Sequence, residues 1–271
     1  MKADLYNLEG KKVKQIELPI QFNEPVRQDL IKRAFVALQL SSRTPYGAYE
    51  FAGKRYSSYV SKRRRKYKGT YGRGVSRTPR KILTKRGTQF HFVGATVPFT
   101  VGGRRAHPPK PSKDWSRKIN TNERRKAIRS ALAATFDLDL IKAHGFRTDN
   151  PSFIIDSKLE SKNKTKDVEK ILFSLNLNKE LERTRERKVR AGKGKLRGRK
   201  YKTKKGLLIV VSKECSLVKA AANLPGLDII RVNELNIALL APGSMPGRLT
   251  IYTEDAIKEM EKNNLFIHKK K

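Results

Sequence analysis

The sequence predicts an α/β fold in which a mostly parallel sheet is flanked by helices and a long, extended basic loop is inserted. Two near-continuous apolar runs, 207–211 and 228–232, are separated by a helix-like stretch at 217–222. Such runs are typical of parallel strands that are covered by helices on both faces. The loop is predicted at residues 43–113, which carry nineteen Lys or Arg residues and a single acid, Glu50.

The first forty residues predict a hairpin followed by a helix. Residues 3–6 and 13–18 alternate apolar and polar side chains around a turn at 7–12, which is the pattern of two paired strands. From 26 to 40 the apolar residues follow the helical period, and Pro25 suits the first turn of that helix.

The chain after the basic loop predicts the other helices and strands of a globular body. Asn120 and Glu123 have the spacing of a capping box, and 127–136 carries the apolar face of the helix that they begin. Further along are a short buried strand at 152–155 and helices at 166–175 and 254–262.

The basic loop has a net charge of +18 over 71 residues. Like charges at this density repel one another, so we expect the loop to become ordered only with a polyanion. No helical or strand period extends far enough to predict an element, and frequent Gly and Pro residues indicate an extended, bent path. The loop also holds ten of the 21 aromatic residues. Interleaved cations and rings favour single-stranded or irregularly folded nucleic acid.

A second basic segment, residues 185–205, has a net charge of +11, and the Lys269 to Lys271 tail adds +3. About 176 other residues carry only +5, which is ordinary for a globular domain. The predicted domains are therefore an α/β body (1–42 and 114–271), the basic loop (43–113) and the second basic segment within the body. The Gly-Lys-Gly-Lys run at 192–195 lacks the Walker spacing and fits a polynucleotide better than a mononucleotide.

The net charge of +37 and the pI near 10.5 predict a polyanionic partner. Nucleic acid is the commonest such partner, and a membrane surface is the other candidate. No run of eighteen apolar residues and no secretory pattern occurs, so we expect no spanning helix and expect the chain to stay where it is made. Cys215 is the only cysteine, which excludes an internal disulfide and is compatible with a reducing compartment.

No pattern indicates a catalytic or metal site. The four histidines lie far apart in sequence, and Cys215 lacks the basic neighbours of a nucleophile. Asp137 and Asp139 stand two apart, where side chains on a helix do not face each other. We therefore expect no catalytic residue, no metal and no cofactor.

The Arg63 to Lys66 run by itself could be a localisation signal or a solvated surface. Tyrosines interleave with the cations around it and favour RNA as the ligand. These base-stacking candidates are Tyr56, Tyr59, Tyr67 and Tyr71. On the helix after Asn120, the basic side that includes Arg124 and Arg125 faces either solvent or phosphates.

Three stretches resemble the universal fourth protein of the large ribosomal subunit, in its archaeal and eukaryotic branch. They are NTNERRKAIRSALAAT at 120–135, GRGVSRTPR at 72–80 with GGRRAHPP at 102–109, and RAGKGKLRGRKY at 190–201. The resemblance covers nearly the whole chain, with the motifs in order. Phe136 and residues 142–144 depart from the family pattern, and the lack of a long C-terminal extension favours the archaeal side.

The resemblance implies a structural constituent of the cytoplasmic ribosome that binds large-subunit rRNA and is needed for subunit assembly and translation. The body would lie on the outer surface of the subunit. The loop would enter the rRNA, and its tip would line part of the nascent-peptide exit tunnel beside another ribosomal protein. Neither a membrane nor a second copy of the chain is an implied partner.

The resemblance and the charge pattern together give the rRNA-binding candidates, and the resemblance alone implies the tunnel-tip candidates. The rRNA-binding candidates are Arg55, Arg63, Arg64, Arg65, Lys66, Arg73, Arg77, Arg80, Lys81, Arg104, Arg105, Arg124, Arg125, Lys193, Lys195, Arg197, Arg199 and Lys200. The tunnel-tip candidates are Arg64, Arg65, Tyr71, Arg73 and Arg77.

Two other functions fit the basic charge. An RNA-processing or RNA-modifying enzyme with a basic arm would need an acid–base pair or a cofactor loop, and the sequence offers neither. A chromosome-compacting DNA binder would bind a regular duplex, whereas interleaved aromatic residues favour unpaired RNA bases.

Overall fold

The computed structural model describes residues 1–267 and divides the chain into two compact units. The body consists of residues 1–42 and of the chain from residue 116 onward, and the arm consists of residues 43–115. His268 and the basic tail at 269–271 lie outside the described residues. Among those described, no helix combines the length and the apolar character that crossing a bilayer requires.

The strands and helices are numbered in chain order. The strands are β1 (Lys2–Tyr6), β2 (Lys12–Glu17), β3 (Arg80–Arg86), β4 (Gln89–Gly94), β5 (Phe153–Ile155), β6 (Lys188–Val189), β7 (Tyr201–Lys202), β8 (Leu208–Val211), β9 (Asp228–Arg231) and β10 (Thr250–Thr253). The helices are α1 (Gln28–Ser41), α2 (Thr121–Ala134), α3 (Leu138–Ala143), α4 (Thr165–Ser174), α5 (Asn178–Arg185), α6 (Ser216–Ala221), α7 (Ile237–Leu240) and α8 (Glu254–Lys262).

The body contains a six-stranded sheet in the order β2-β1-β5-β10-β8-β9. The pair β1 and β2 is antiparallel, and every other pairing in this sheet is parallel. The predicted α/β fold with a mostly parallel sheet flanked by helices is confirmed, as is the N-terminal hairpin.

Alternate residues of the central strands pack into two separate cores. Ile154 and Tyr252 point to the core that includes residues of α1, α2 and α8. Their neighbours Phe153, Ile155 and Ile251 point to the opposite core, with residues of α4 and α6. Both sheet faces are therefore buried, which explains why these strands read as continuous apolar runs.

The chain enters α1 differently from the prediction. The helix begins at Gln28, so placing Pro25 in its first turn was wrong. The Pro25 carbonyl instead accepts a hydrogen bond from the Ser130 hydroxyl at 3.0 Å, and Ser130 Oγ accepts one from the Arg27 N–H at 2.6 Å. The buried hydroxyl of α2 thus satisfies two backbone groups ahead of α1 and fixes how the two helices meet.

Both ends of α2 differ from the prediction in detail. Asn120 caps the helix by accepting from the Asn122 N–H at 3.2 Å, as an N-cap residue should. Glu123 accepts instead from Arg33 of α1 at 3.3 Å, so it does not complete a capping box. The helix ends at Ala134, and Phe136 beyond it stacks on Tyr252 with ring centroids 5.9 Å apart.

The prediction that the basic loop holds no regular element was wrong. In the arm, β3 and β4 form an antiparallel hairpin whose turn includes Gly87, at φ +56°. A period of two was readable in β4, where Phe90 and Phe92 alternate with polar residues. In β3, the strand that pairs with β4, cations interrupt the apolar alternation that normally marks a strand.

Arg248 is the largest side chain that is fully buried in the body. It donates to the carbonyls of Gly206 at 2.7 Å and Leu239 at 2.9 Å, and to the carboxylate of Asp228 at 2.6 Å. Burial lowers the pKa of Arg248 while Asp228 opposes that shift. Burial also raises the pKa of Asp228, but Arg248 and Lys205 outweigh it and hold the pKa of this carboxyl below its ordinary value.

We expect Arg248→Met to lower the free energy of unfolding by about 3 kcal/mol, because it leaves buried carbonyls without their donor and leaves Asp228 with Lys205 alone. Urea unfolding of the full chain, followed by circular dichroism, measures the change. Arg231→Met removes a matched arginine whose ion pairs are exposed and should cost less than about 1 kcal/mol. Equal losses in the two variants would contradict a special role for Arg248.

The pH dependence of stability tests the same pair from the acid side. Because the pKa of Asp228 is lower in the folded state, its contribution is complete above the unfolded pKa of about 3.9 and is lost as the pH falls through the folded pKa. Asp228→Asn should therefore be less stable than wild type at pH 7 and lose less stability on acidification. Asp139→Asn, at an exposed position, should match wild type at pH 7; parallel pH profiles for Asp228→Asn and wild type would refute the assignment.

Candidate nucleic-acid interface

At the base of the arm, two stretches of chain run side by side. Gly47 packs against Pro111, and the Ala48 N–H donates to the Pro109 carbonyl at 3.1 Å. Further along, a Cβ at Gly53 would lie 2.6 Å from the Arg104 Cα, so only glycine allows the backbones to approach this closely. The fold thereby brings the predicted Arg104 and Arg105 beside residues 53–55.

Most of the predicted cations of the arm are exposed. Those exposed are Arg55, Arg63, Arg64, Arg65, Lys66, Arg73, Arg77 and Arg105. Arg80, Lys81 and Arg104 are half-buried, and Arg80 Nη2 is held by the Ser76 carbonyl at 3.1 Å and the Ser76 hydroxyl at 3.0 Å. Arg80 therefore also orders the arm itself.

The four predicted base-stacking tyrosines carry cations of the arm over their rings. Lys81 Nζ lies 3.6 Å from the ring centroid of Tyr56, and Arg64 and Arg77 lie 5.0 and 4.9 Å from that of Tyr71. Lys66 lies over Tyr59 in the same way, and Lys68 and Lys85 over Tyr67. Such cation–π contacts offset part of the repulsion between cations. All four rings stay at least 39% exposed, so they keep surface for a ligand.

Four of the five tunnel-tip candidates take part in cation–π contacts. Arg64 and Arg77 share the ring of Tyr71, and Arg73 lies 4.5 Å from the ring centroid of Phe90. The Tyr67 hydroxyl donates to the Gly87 carbonyl at 3.2 Å, which ties this segment to the hairpin turn. Arg65 is exposed and has a positive φ of 50°.

The second basic segment folds as a small hairpin. Strands β6 and β7 pair, and the Arg190 N–H donates to the Lys200 carbonyl at 2.8 Å. Three acids neutralise cations at the ends of the segment. Arg185 pairs with Glu169 and Lys205 with Asp228 at 3.0 Å, both elsewhere in the body, and Lys204 pairs with Glu186 of the segment itself at 2.6 Å. The cations of its loop are exposed, with no ion pair to any described residue. They are Lys193, Lys195, Arg197, Arg199 and Lys200.

The basic side of α2 is partly structural. Arg129 is only 13% exposed and pairs with Glu24 at 2.8 Å, and Lys126 pairs with the same carboxylate at 3.5 Å. Arg125 is half-buried and donates to the Ile267 carbonyl at 3.3 Å, whereas Arg124 is exposed. Of this helix, Arg124 is thus the cation most available to a ligand.

Sequence reasoning missed two groups of residues in the arm. Arg43 lies 3.9 Å from the ring centroid of Trp115, and Tyr46 stacks on the same ring at 5.8 Å. Phe99 and Val101 are 76% and 101% exposed on the loop after β4. The Pro98 and Gly102–Gly103 residues that bracket this loop were the available signal of an exposed turn.

The acids and nucleophiles considered for catalysis have other roles. Asp137 caps α3 by accepting from the backbone N–H of Asp139 at 3.1 Å. Burial raises the pKa of the Cys215 thiol and lowers that of His144, whose Nδ1 lies 3.2 Å from the Pro246 carbonyl. Within residues 1–267, no group of three or more His, Cys, Asp or Glu side chains could hold a metal ion.

Comparison with known proteins identifies the family. Residues 16–263 match the Ribosomal protein L4/L1 family. The large ribosomal subunit protein uL4 of Nanoarchaeum equitans is 52% identical over 267 residues, covering 98% of this chain and 100% of its own length. The proteins of the same name from Archaeoglobus fulgidus and Methanococcoides burtonii are each 44% identical, covering 95% and 96% of this chain and 97% of their own lengths. The chain therefore belongs to the Ribosomal protein L4/L1 family, in its archaeal uL4 branch.

Proposed function

We propose that the protein is a non-catalytic structural component of the large ribosomal subunit, located in cytoplasmic ribosomes, where it binds and stabilises rRNA and supports subunit assembly and translation. The observation that carries this proposal is the match, over nearly the whole chain, to relatives named as large ribosomal subunit proteins. Family membership likewise supports association with rRNA and with neighbouring ribosomal proteins.

The charge of the arm supplies the physical mechanism. Its residues 43–115 contain nineteen Lys or Arg residues but only two acids, Glu50 and Asp114, so most of its cations have no carboxylate to bind. Folded RNA brings phosphates close together, and cations held between them release counterions and reduce phosphate repulsion. The exposed rings of the arm add stacking surface for unpaired bases.

The arm would enter the rRNA, with Arg64, Arg65, Tyr71, Arg73 and Arg77 lining part of the nascent-peptide exit tunnel beside another ribosomal protein. The contacts of Arg64 and Arg77 with one ring, that of Tyr71, support a role for these three residues at one common surface. The loop of the second basic segment and Arg124 would bind rRNA from the body. We propose one copy of the chain per subunit rather than a homo-oligomer.

A second role as an RNA-processing enzyme has no support. The family is one of structural ribosomal proteins. The acid that stood nearest to a catalytic pair in the sequence, Asp137, caps a helix.

We expect the protein to co-sediment with large ribosomal subunits and to remain bound through a high-salt wash, because an arm enclosed by folded rRNA can leave only when that RNA opens. Quantitative immunoblotting of sucrose-gradient fractions measures this. Recovery in the soluble fraction at low salt would rule out a structural role in the subunit.

Arg64→Gln with Arg65→Gln should weaken binding of the purified protein to large-subunit rRNA. The slope of log K against log salt concentration should become shallower by about two, since two phosphate contacts are removed. Filter binding across a salt series measures both quantities. Lys164→Gln with Lys166→Gln removes the same charge from exposed positions of the body and is the matched control. A large fall in the melting temperature of the arginine variant, or equal binding losses in the two variants, would contradict the proposal.

A further inference from the structure

The arm contains a cavity of about 380 Å³ between the β3–β4 hairpin and the loop at 97–103. This volume lies within the range of small-molecule pockets, about 300–1,000 Å³. The residues that matter to its chemistry are Thr78, Arg80, Phe92, Phe99, Thr100 and Val101.

The loop that forms one wall is fixed against the hairpin. A Cβ at Gly94 would lie 2.5 Å from Thr100 Cγ2, so the absence of a side chain lets β4 and the loop meet. Within the loop, the Thr100 hydroxyl donates to the Val97 carbonyl at 2.9 Å and the Gly103 N–H donates to the Thr100 carbonyl at 3.0 Å. The wall is therefore held in place by its own hydrogen bonds.

The rim of the cavity is apolar and exposed to solvent. Phe99 is 76% exposed and Val101 is 101% exposed. Isolated exposed apolar residues are common, but here an exposed ring and an exposed branched side chain border the same cavity. An occupant with a flat apolar face would remove both from water.

Two polar side chains also line the cavity. Thr78 is only 8% exposed and places a hydroxyl there. Arg80 contributes its guanidinium, whose Nη2 is fixed by the Ser76 hydroxyl at 3.0 Å. A hydroxyl and a guanidinium both donate hydrogen bonds, so this edge is suited to an occupant that carries hydrogen-bond acceptors.

We propose that this cavity binds one unpaired nucleobase of RNA, with the base stacked on Phe99 and its polar edge hydrogen-bonded by Thr78 and Arg80. A nucleobase combines two apolar faces with an edge of ring nitrogens and carbonyl oxygens, which is the pattern that the cavity complements. The excess of cations over acids in the arm favours RNA over a protein segment as occupant, because phosphates on either side of the base meet cations. This inference rests on the proposed RNA-binding function.

The test compares binding of full-length variants to a mixed-sequence single-stranded RNA and to a fully paired RNA hairpin stem, each across a salt series. Phe99→Ala should weaken single-strand binding about 5- to 100-fold with an unchanged salt slope, because a stacking contact is lost and no phosphate contact is. Phe99→Trp should retain binding, and Thr78→Val should weaken it without altering the salt slope. Phe173→Ala, which truncates a 41% exposed ring on α4 of the body, is the matched control and should change binding less than twofold.

The outcomes separate this inference from the proposed function. Wild-type binding without salt dependence would refute phosphate contact and with it the proposed function. Steep salt dependence with unchanged binding by Phe99→Ala and Thr78→Val would overturn the base site alone. Equal losses on the paired stem would show that Phe99 shapes the arm rather than holding a base. Loss of co-sedimentation with large subunits at unchanged RNA affinity would assign the cavity to a protein partner and overturn the base site as well.

Discussion

Electrostatic repulsion within the arm is the constraint on which the rest of this structure depends. Nineteen cations with two acids in 43–115 cannot be neutralised by ion pairs within that unit. Aromatic rings offset part of this repulsion through cation–π contacts. Arg64 and Arg77 both lie over Tyr71, and Lys81 lies over Tyr56. These contacts leave a net charge that only an external polyanion can balance, and they also hold the cations at defined positions along the arm.

In the body the constraint is burial rather than repulsion. Its mostly parallel sheet is covered on both faces, so few charged side chains can be placed there. The buried cation Arg248 finds acceptors for its guanidinium, because it donates to backbone carbonyls as well as to Asp228. The second basic segment lies between these two regimes. Its ends pair with Glu169 and Asp228 elsewhere in the body and with its own Glu186, and the cations of its loop make no ion pair to a described residue.

The same residue types therefore do different work according to their surroundings. On α2, Arg129 is an internal ion-pair partner and Arg124 is an exposed cation, although both belong to one basic sequence pattern. In the arm, Arg80 anchors Ser76 and borders the cavity beside Phe99, whereas Arg63 and Arg65 are exposed. A basic motif in sequence thus contains both structural cations and cations that remain available to phosphate.

The sequence by itself determined the fold class, the family and the existence of a basic region rich in aromatic residues. Apolar periodicity and local charge are properties of neighbouring residues, and they can be read before any contact between distant residues is known. The β3–β4 hairpin could not be predicted because the cations of β3 break the apolar alternation of that strand. The pairing of β3 with Phe90 and Phe92 of β4 is seen only in the structure. Only the tertiary structure decided which cations are neutralised, which rings they cover and where Phe99, Thr78 and Arg80 meet, because those outcomes depend on approaches between residues that are separated along the chain.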